Sequence, residues 1–484
     1  MSSVRTALGD PPDLAVESLT GGIITVCYIT SITNAAVLDD RILKPLGGVR
    51  PNSLQRGSQW EKVLPEIGRR GKLRNHTDEV AADLLSGHAI IHLTGSSEAY
   101  ALMCYGGPKR QPTDPHVERT VRGSRLSFVE NLNDNIGMIR LFIQDPALRI
   151  HRLKIGRRTG TDGAVIYLNN LADPGLVEEV KQRLGRIEID GVLDSGYLEQ
   201  LITDNRWSVL PLTQATERPD KVAAALLEGR VALAVNCSPN LIIVPVTVND
   251  LYQSPDDYYW GFWFGSFLRF FRILGNNIAV ALPGLYVALL GVNPEALPVT
   301  FALVVSGGRM GVAFPLIIEL LLIEFTLEIF REASLRLPQT VSQTLGVTTG
   351  IVLGIAAVGA GLVSNATLVV SVVTAIASYS GPDYGIGLSW RILKYILVIA
   401  AALFGLVGLV AAGIAILGYA ASQNSFGVAY LAPWSPIHGV ELLDTVLRRP
   451  LWIPRRFATY HPTDEVRYRE KGAADIGSGR REDE

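Results

Sequence analysis

The run Leu345-Gly346-Val347-Thr348-Thr349-Gly350-Ile351-Val352-Leu353-Gly354-Ile355-Ala356-Ala357-Val358-Gly359-Ala360-Gly361-Leu362-Val363, continued by Ser364-Asn365 and the apolar residues 366–379, decides the architecture. Between residues 337 and 382 there is no Asp, Glu, Lys or Arg. A stretch this long has no polar face to offer water. One bilayer crossing takes about 20 residues at about 1.5 Å each, so the run accommodates two crossings split at Ser364-Asn365. Across all 484 residues 48% are hydrophobic and 19% charged, below the roughly 25% of soluble domains. The deficit is local, because charges recur every few positions up to about residue 259 and thin out beyond it.

Further spans are expected over 273–291, interrupted by Asn276, Asn277 and Pro283, over 312–330 with three glutamates, and over 395–420. Residues 297–307 are too short to cross and read as re-entrant or interfacial. Connections 292–299 and 361–365 carry no Lys or Arg, whereas Arg331, Arg336, Arg391 and Lys394 flank the alternate ones. That is the charge pattern of a cytoplasmic N-terminus. No basic-then-apolar leader precedes it, which agrees. Five crossings would leave Arg448, Arg449, Arg455 and Arg456 outside. The arginines therefore predict either that 297–307 joins another crossing or that one span does not fully cross.

The soluble half contains an apparent duplication. Tyr28-Ile29-Thr30-Ser31-Ile32 and a helix to Leu46 match Tyr167-Leu168-Asn169-Asn170-Leu171 and a helix over 173–184. Leu84-Leu85-Ser86-Gly87 before His88-Ala89-Ile90-Ile91-His92-Leu93 matches Leu226-Leu227-Glu228-Gly229 before Arg230-Val231-Ala232-Leu233-Ala234-Val235. Near-constant offsets at both places predict two similar α/β subdomains, with a helix over 130–144 joining them. The expected organisation is a flexible tail over 1–20, subdomains over 21–129 and 130–254, an α-helical polytopic membrane domain over 255–434, and a basic, polar tail over 435–484.

Several motifs carry a family resemblance. Glu217-Arg218-Pro219-Asp220-Lys221-Val222-Ala223-Ala224-Ala225-Leu226-Leu227-Glu228-Gly229-Arg230-Val231 and Gln253-Ser254-Pro255-Asp256-Asp257-Tyr258-Tyr259 resemble signatures of the GerA-type spore germination receptor A subunits. Asp190-Gly191-Val192-Leu193-Asp194-Ser195-Gly196-Tyr197-Leu198, Leu282-Pro283-Gly284-Leu285-Tyr286, Phe325-Thr326-Leu327-Glu328-Ile329-Phe330-Arg331 and Ser425-Phe426-Gly427-Val428-Ala429-Tyr430 follow in family order. Departures include Asn236-Cys237 in place of a common Asp-Gly turn, and Asn276 and Asn277 where the family is apolar. The resemblance implies a receptor subunit in the spore inner membrane, acting with a transporter-like B subunit and a lipoprotein C subunit. It also implies a homo-oligomer that contributes an ion path when nutrients such as amino acids or sugars are sensed, with nutrient binding mainly on the B subunit.

The residues point to no enzyme and no cofactor. Gly156-Arg157-Arg158-Thr159-Gly160 lacks the lysine of a phosphate-binding loop, and the near-zero net charge of −2 does not suit nucleic acid. His88 and His92 are four apart but sit in a strand-like run. Cys27, Cys104 and Cys237 have no metal spacing and read as buried thiols. Charged groups inside a bilayer are costly, so Arg309, Glu319, Glu324 and Glu328 stand out. On a helix Glu324 and Glu328 lie about 40° apart, with Glu319 nearly opposite Glu328. They line a polar cavity, or they pair with Arg309, Arg269 or Arg272. Gly346, Gly350 and Gly354, with Thr348 and Thr349, form a small-residue stripe that lines a pore or packs two helices. A secondary transporter and a non-conducting membrane scaffold are the alternative functions.

Overall fold

The computed structural model describes residues 2–9, 11–48, 71–104, 115, 118, 120–338, 354–437, 439, 441–450 and 458–464. The chain opens with helix α1 (Ser2–Leu8) and strands β1 (Leu14–Leu19) and β2 (Ile24–Ile29). Asn34 then caps a helical stretch, accepting from the amides of Ala36 and Val37, that runs through a π-turn at Asp39–Leu43 to Gly47. Strand β3 (Lys72–Arg74), helix α2 (Thr77–Leu85) and strands β4 (His88–Leu93) and β5 (Ala99–Met103) complete the unit. The second unit repeats this order. It comprises α3 (Leu132–Phe142), β6 (Leu148–Ile155), β7 (Thr161–Leu168), α4 (Pro174–Gly185), a short helix Ser195–Ile202, β8 (Gln214–Thr216), α5 (Pro219–Leu227), β9 (Val231–Val235) and β10 (Leu241–Val244).

Both sheets are antiparallel throughout and have the same topology, β1-β2-β4-β5-β3 and β6-β7-β9-β10-β8. The two helix–Gly–strand junctions occupy equivalent places. Gly87 and Gly229 have φ of 84° and 88°, a left-handed conformation open to glycine at little cost, so each ends its helix and starts the fourth strand. The expected pair of similar subdomains is what the fold contains. Each sheet is covered on both faces. Ile24, Val26 and Ile91 meet the helix containing Ile42 and Leu46, while Cys27, Ile29 and Ile90 meet α1 and α2. In the second unit, Ile166 and Ala232 face α3 and α5, and Val165 and Leu233 face α4.

Residues 1–20 are not a flexible tail. Val4 and Leu8 of α1 are buried against Val80 and Leu84, and β1 is an edge strand of the first sheet. Helix α3 is the second unit's counterpart of α1, rather than a separate linker. It also fastens the units together, since Arg140 forms a buried two-point pair with Asp13 at 2.9 and 3.0 Å. Cys27 and Cys104 are buried as expected, but Cys237 is exposed. Its position explains this: it stands in the turn after β9 with φ of 70°, where a glycine fits without strain. Replacing Cys237 with Gly is expected to stabilise the chain by about 1 kcal/mol, read as a raised thermal midpoint.

The C-terminal half is helical: α6 (Phe262–Val287), a nine-residue helix Val299–Gly307, α7 (Leu316–Arg336), α8 (Asn365–Ser378) and α9 (Tyr384–Ala421). Two of these runs, 262–292 and 384–421, are long and apolar enough to cross a membrane. Leu403, Phe404 and Val407 are 68–77% exposed, an outward apolar surface suited to lipid rather than water. Helix α9 departs from the expected single last span. Ser389 Oγ donates to the Val209 carbonyl at 2.6 Å, and the Val209 amide donates to Tyr419 Oη at 3.1 Å. In an unbroken helix those two residues would stand about 45 Å apart. The helix folds back at Gly405, whose φ of 60° and ψ of −142° are not helical. Two antiparallel segments result, and both outer ends meet the soluble part.

The chain after α9 returns to the side where α6 begins, and residues 441–450 and 458–464 are docked rather than loose, while Arg455 and Arg456 lie outside the described residues. Asp444, Arg448 and Arg449 are buried, and Arg269 of α6 donates to Asp444 at 2.7 Å. Within the stretch 297–307, Val299–Gly307 form a short, largely exposed helix.

Candidate functional site at the membrane core and its junction

Helix α7 carries four carboxylates, of which Glu332 pairs with Arg336 near its exposed end and the other three meet groups on neighbouring segments. Glu319 accepts from the Ser364 amide at 2.6 Å, at the start of α8, and faces Arg309 at 3.4 Å. Glu324 pairs with Lys394 of α9, both about 6% exposed. Glu328 binds Arg391 of α9 and Arg331 of its own helix, each at 2.8 Å. Of the expected partners only Arg309 pairs with an α7 carboxylate. Arg269 and Arg272 both go to Asp257. Lys394 and Arg391 lie three apart on α9, so they form two rungs with Glu324 and Glu328. That spacing was readable in the sequence, but which helix faced α7 was not.

Helix α8 adds a polar stripe that its apolar composition conceals. Thr367, Ser371 and Thr374 recur at helical spacing and are buried inside the bundle. Thr367 Oγ1 bonds Tyr286 Oη at 2.9 Å, whereas the Ser371 and Thr374 hydroxyls have no partner among the described residues. The Asn276 amide nitrogen and one Glu324 oxygen are likewise buried without a partner. Orphan polar atoms cost about 1–3 kcal/mol each, so the bundle carries a polar interior rather than a tightly matched apolar core. A Cβ placed on Gly354 would stand 3.5 Å from Leu368 Cδ2 of α8, so the glycine faces α8. Gly346, Thr348, Thr349 and Gly350 lie outside the described residues.

If the Glu324–Lys394 pair is a fastening, Lys394→Met alone should cost about 3–5 kcal/mol, because it strands a buried carboxylate. The double variant Glu324→Leu/Lys394→Met should recover most of that loss. Thermal unfolding of the four members of this cycle reads the coupling directly.

The second feature is the junction between the soluble and helical parts, built from the motifs over 217–231 and 253–259. In the first, Arg218 binds Asp220 at 2.7 Å, and Tyr259 donates to the same carboxylate at 2.6 Å. In the second, Asp257 is fully buried and holds Arg269 and Arg272 at 3.1 and 3.0 Å. A third link uses the C-terminal segment. Tyr460 donates to Asp250, which also meets Arg230 at 3.1 Å, and the Thr463 amide donates to the Leu171 carbonyl at 2.9 Å. Burial and the adjacent Asp250 carboxylate push the Tyr460 hydroxyl well above the ordinary tyrosine range, so it stays a proton donor. Three chain segments thus share one charge network, whose C-terminal members could not be placed from sequence. His88 and His92 lie on β4 with ring nitrogens at the Asp83 and Ser96 carbonyls, a structural placement.

The family model described as Bacillus/Clostridium GerA spore germination protein matches residues 2–458. Spore germination protein KA of Bacillus subtilis (strain 168) is 35% identical over 96% of this chain and 87% of that protein. Spore germination protein GerLA of Bacillus cereus is 33% identical over 97% of this chain and 96% of its own length. A crystal structure of the N-terminal domain of the A subunit of the Bacillus megaterium spore germinant receptor GerK3 is 27% identical, covering 50% of this chain and 91% of that one at a TM-score of 0.39. Family match, near-complete coverage and the motifs at the junction lead to one assignment: the chain belongs to the Bacillus/Clostridium GerA spore germination protein family.

Proposed function

We propose that this chain is a membrane subunit of a nutrient-responsive spore germination receptor. In this reading it lies in the spore inner membrane with its two soluble units on the cytoplasmic side. It self-associates, works beside a transporter-like B subunit and a lipoprotein C subunit, and takes part in releasing ions when nutrient is sensed. It performs no catalysis. The observation that carries the reading is the junction: Asp257 ties the entry of α6 to the connector from the soluble units, so a displacement of either is felt by the other. Buried charge pairs of this kind resist slippage, because separating them strands ions in a low-dielectric interior.

The α7 carboxylates are each matched by a cation, which makes them fastenings in this account. The stripe of Gly346, Thr348, Thr349, Gly350 and Gly354 is the proposed lining of the ion path, with Gly354 at its packed end. Single-channel recording on the purified oligomer tests the reading, with discrete cation-carrying openings expected. A silent bilayer with solute flux would make the chain a secondary transporter, and silence in both assays a scaffold.

A further inference from the structure

We infer that the loop 204–209 of the second soluble unit rests on the bilayer surface, with the Trp207 ring in the interfacial layer and the Arg206 guanidinium on anionic lipid headgroups. The contact rests on the reading of α6 and α9 as membrane-spanning, proposed above. The loop lies between the short helix Ser195–Ile202 and β8. It is a tight turn: the Asn205 carbonyl accepts from the Ser208 amide at 3.2 Å, and Asn205 Oδ1 accepts from the Trp207 amide at 3.1 Å. Trp207 stands at its apex and is 93% exposed. A single exposed aromatic side chain is ordinary on a protein surface, so what matters is where this one is held.

Bonds to α9 fix its level. The Val209 carbonyl accepts from Ser389 Oγ at 2.6 Å, the Val209 amide donates to Tyr419 Oη at 3.1 Å, and Asn205 Nδ2 donates to Gln423 Oε1 at 2.9 Å. Leu210 and Leu212 pack with Ile386, Leu393 and Ala420 of the same helix. The loop is thus seated on the open end of the α9 hairpin. Beside these anchors Leu388 and Leu417 are 41% and 61% exposed, and large apolar side chains remain exposed from there to Phe404 and Val407. The lipid-facing surface therefore begins at the level of the loop. Its other end is marked by exposed Glu295, two residues after the Asn293 that meets the Gly405 fold-back. From Gly405 to Ser389 a helix rises about 24 Å, close to the roughly 30 Å of a hydrocarbon core. The loop sits at the polar–apolar boundary, the layer in which tryptophan rings are enriched.

Charge selects the lipid. Asp204 pairs with Arg183 at 2.7 Å and accepts from the Phe426 amide at 2.7 Å, so its carboxylate is already matched. Arg206 is exposed and, among the described residues, forms no ion pair or hydrogen bond. The apex therefore presents one unmatched cation beside one apolar ring. Phosphate-bearing anionic headgroups above acyl chains offer the complement to both. The loop is continuous with the lipid-facing surface of α9, which makes lipid its occupant. Lipid would then support the same soluble unit that carries Arg218 and Asp220 of the junction network.

The test uses the full chain in nanodiscs of phosphatidylcholine and phosphatidylglycerol, labelled with 5-fluorotryptophan and read by fluorine NMR. The Trp207 signal is assigned from Trp207→Phe. Three broadening agents are compared: lipids spin-labelled near the headgroup, lipids spin-labelled at the chain end, and a water-soluble gadolinium chelate. Trp207 should be broadened most by the label near the headgroup. That label carried on phosphatidylglycerol should act more strongly than on phosphatidylcholine, by up to about fivefold, the enrichment one surface arginine supplies, and Arg206→Gln should remove the preference. Ile396 is exposed midway along the first segment of α9, so Ile396→Trp adds a reference signal that the chain-end label should broaden most. Broadening of Trp207 chiefly by the chelate would place the loop in water and overturn the inference. Protection from all three agents would mean that a protein covers it, and would overturn it equally. Equal action of the two lipid labels, unchanged in Arg206→Gln, would overturn the anionic headgroup. A reference signal that responds to lipid while Trp207 does not would refute the loop contact alone, whereas silence of both would refute the membrane reading beneath it.

Discussion

Replacing Gly405 with leucine is expected to remove the chain from the membrane fraction almost completely. Gly405 lies at φ 60° and ψ −142°, a region essentially closed to residues with a Cβ, and occupying it costs about 1–3 kcal/mol. A Cβ there would also come within 1.9 Å of Asn293 Oδ1. That oxygen cannot retreat freely, because it accepts from the Leu406 amide at 2.9 Å and caps the second segment of α9. The steric term adds about 1–3 kcal/mol. Together, at about 2–6 kcal/mol, these reach the lower end of domain stabilities, roughly 5–15 kcal/mol. Membrane abundance and detergent-extracted oligomer size are the measurements. Asn293→Ala should give a milder loss of about 1–3 kcal/mol, because it leaves the Leu406 amide without its partner.

Asp257→Ala should produce the next largest loss, about 3–5 kcal/mol, by stranding Arg269 and Arg272 beside one empty position. Arg269 is fully buried and, among the described residues, would retain Asp444 as its carboxylate partner beside the Tyr258 ring. The effect should be local at first. Protease cleavage within 248–261 is expected to accelerate before the thermal midpoint of the soluble units moves. Asp257→Asn should lie between wild type and Ala, since the amide keeps one acceptor oxygen but loses the charge. Equal cleavage rates in all three proteins would mean that the network does not hold the junction.

The sequence made the repeat readable for a specific reason. A glycine forced into the left-handed region ends a helix, and the apolar strand after it can only be a core strand, so Gly87 and Gly229 mark matching points in two units. Helix α1 and β1 escaped because the cue is weak there: α1 is seven residues long, and β1 is an edge strand with only half-buried side chains on one face. The carboxylates on α7 were readable as unusual, since charge in an apolar run always is. Their partners were not, because Lys394 and Arg391 meet α7 only through helix packing. Gly405 was hidden among Gly408, Gly413 and Gly418, which look alike in sequence. What singles it out is Asn293, more than a hundred residues earlier. Tyr460 was unreadable for the same reason, because its burial depends on a cavity edge formed by Asp250 and Arg230.

A subunit through which nutrient sensing leads to ion release must be needed for that release. The most direct measurement is nutrient-triggered cation release from spores carrying this chain as their only subunit of its type, compared with spores lacking it. Release is expected with the chain present and none without it. Release should be restored by the wild-type chain but not by Asp257→Ala at matched membrane abundance. Equal release from spores without the chain would contradict it.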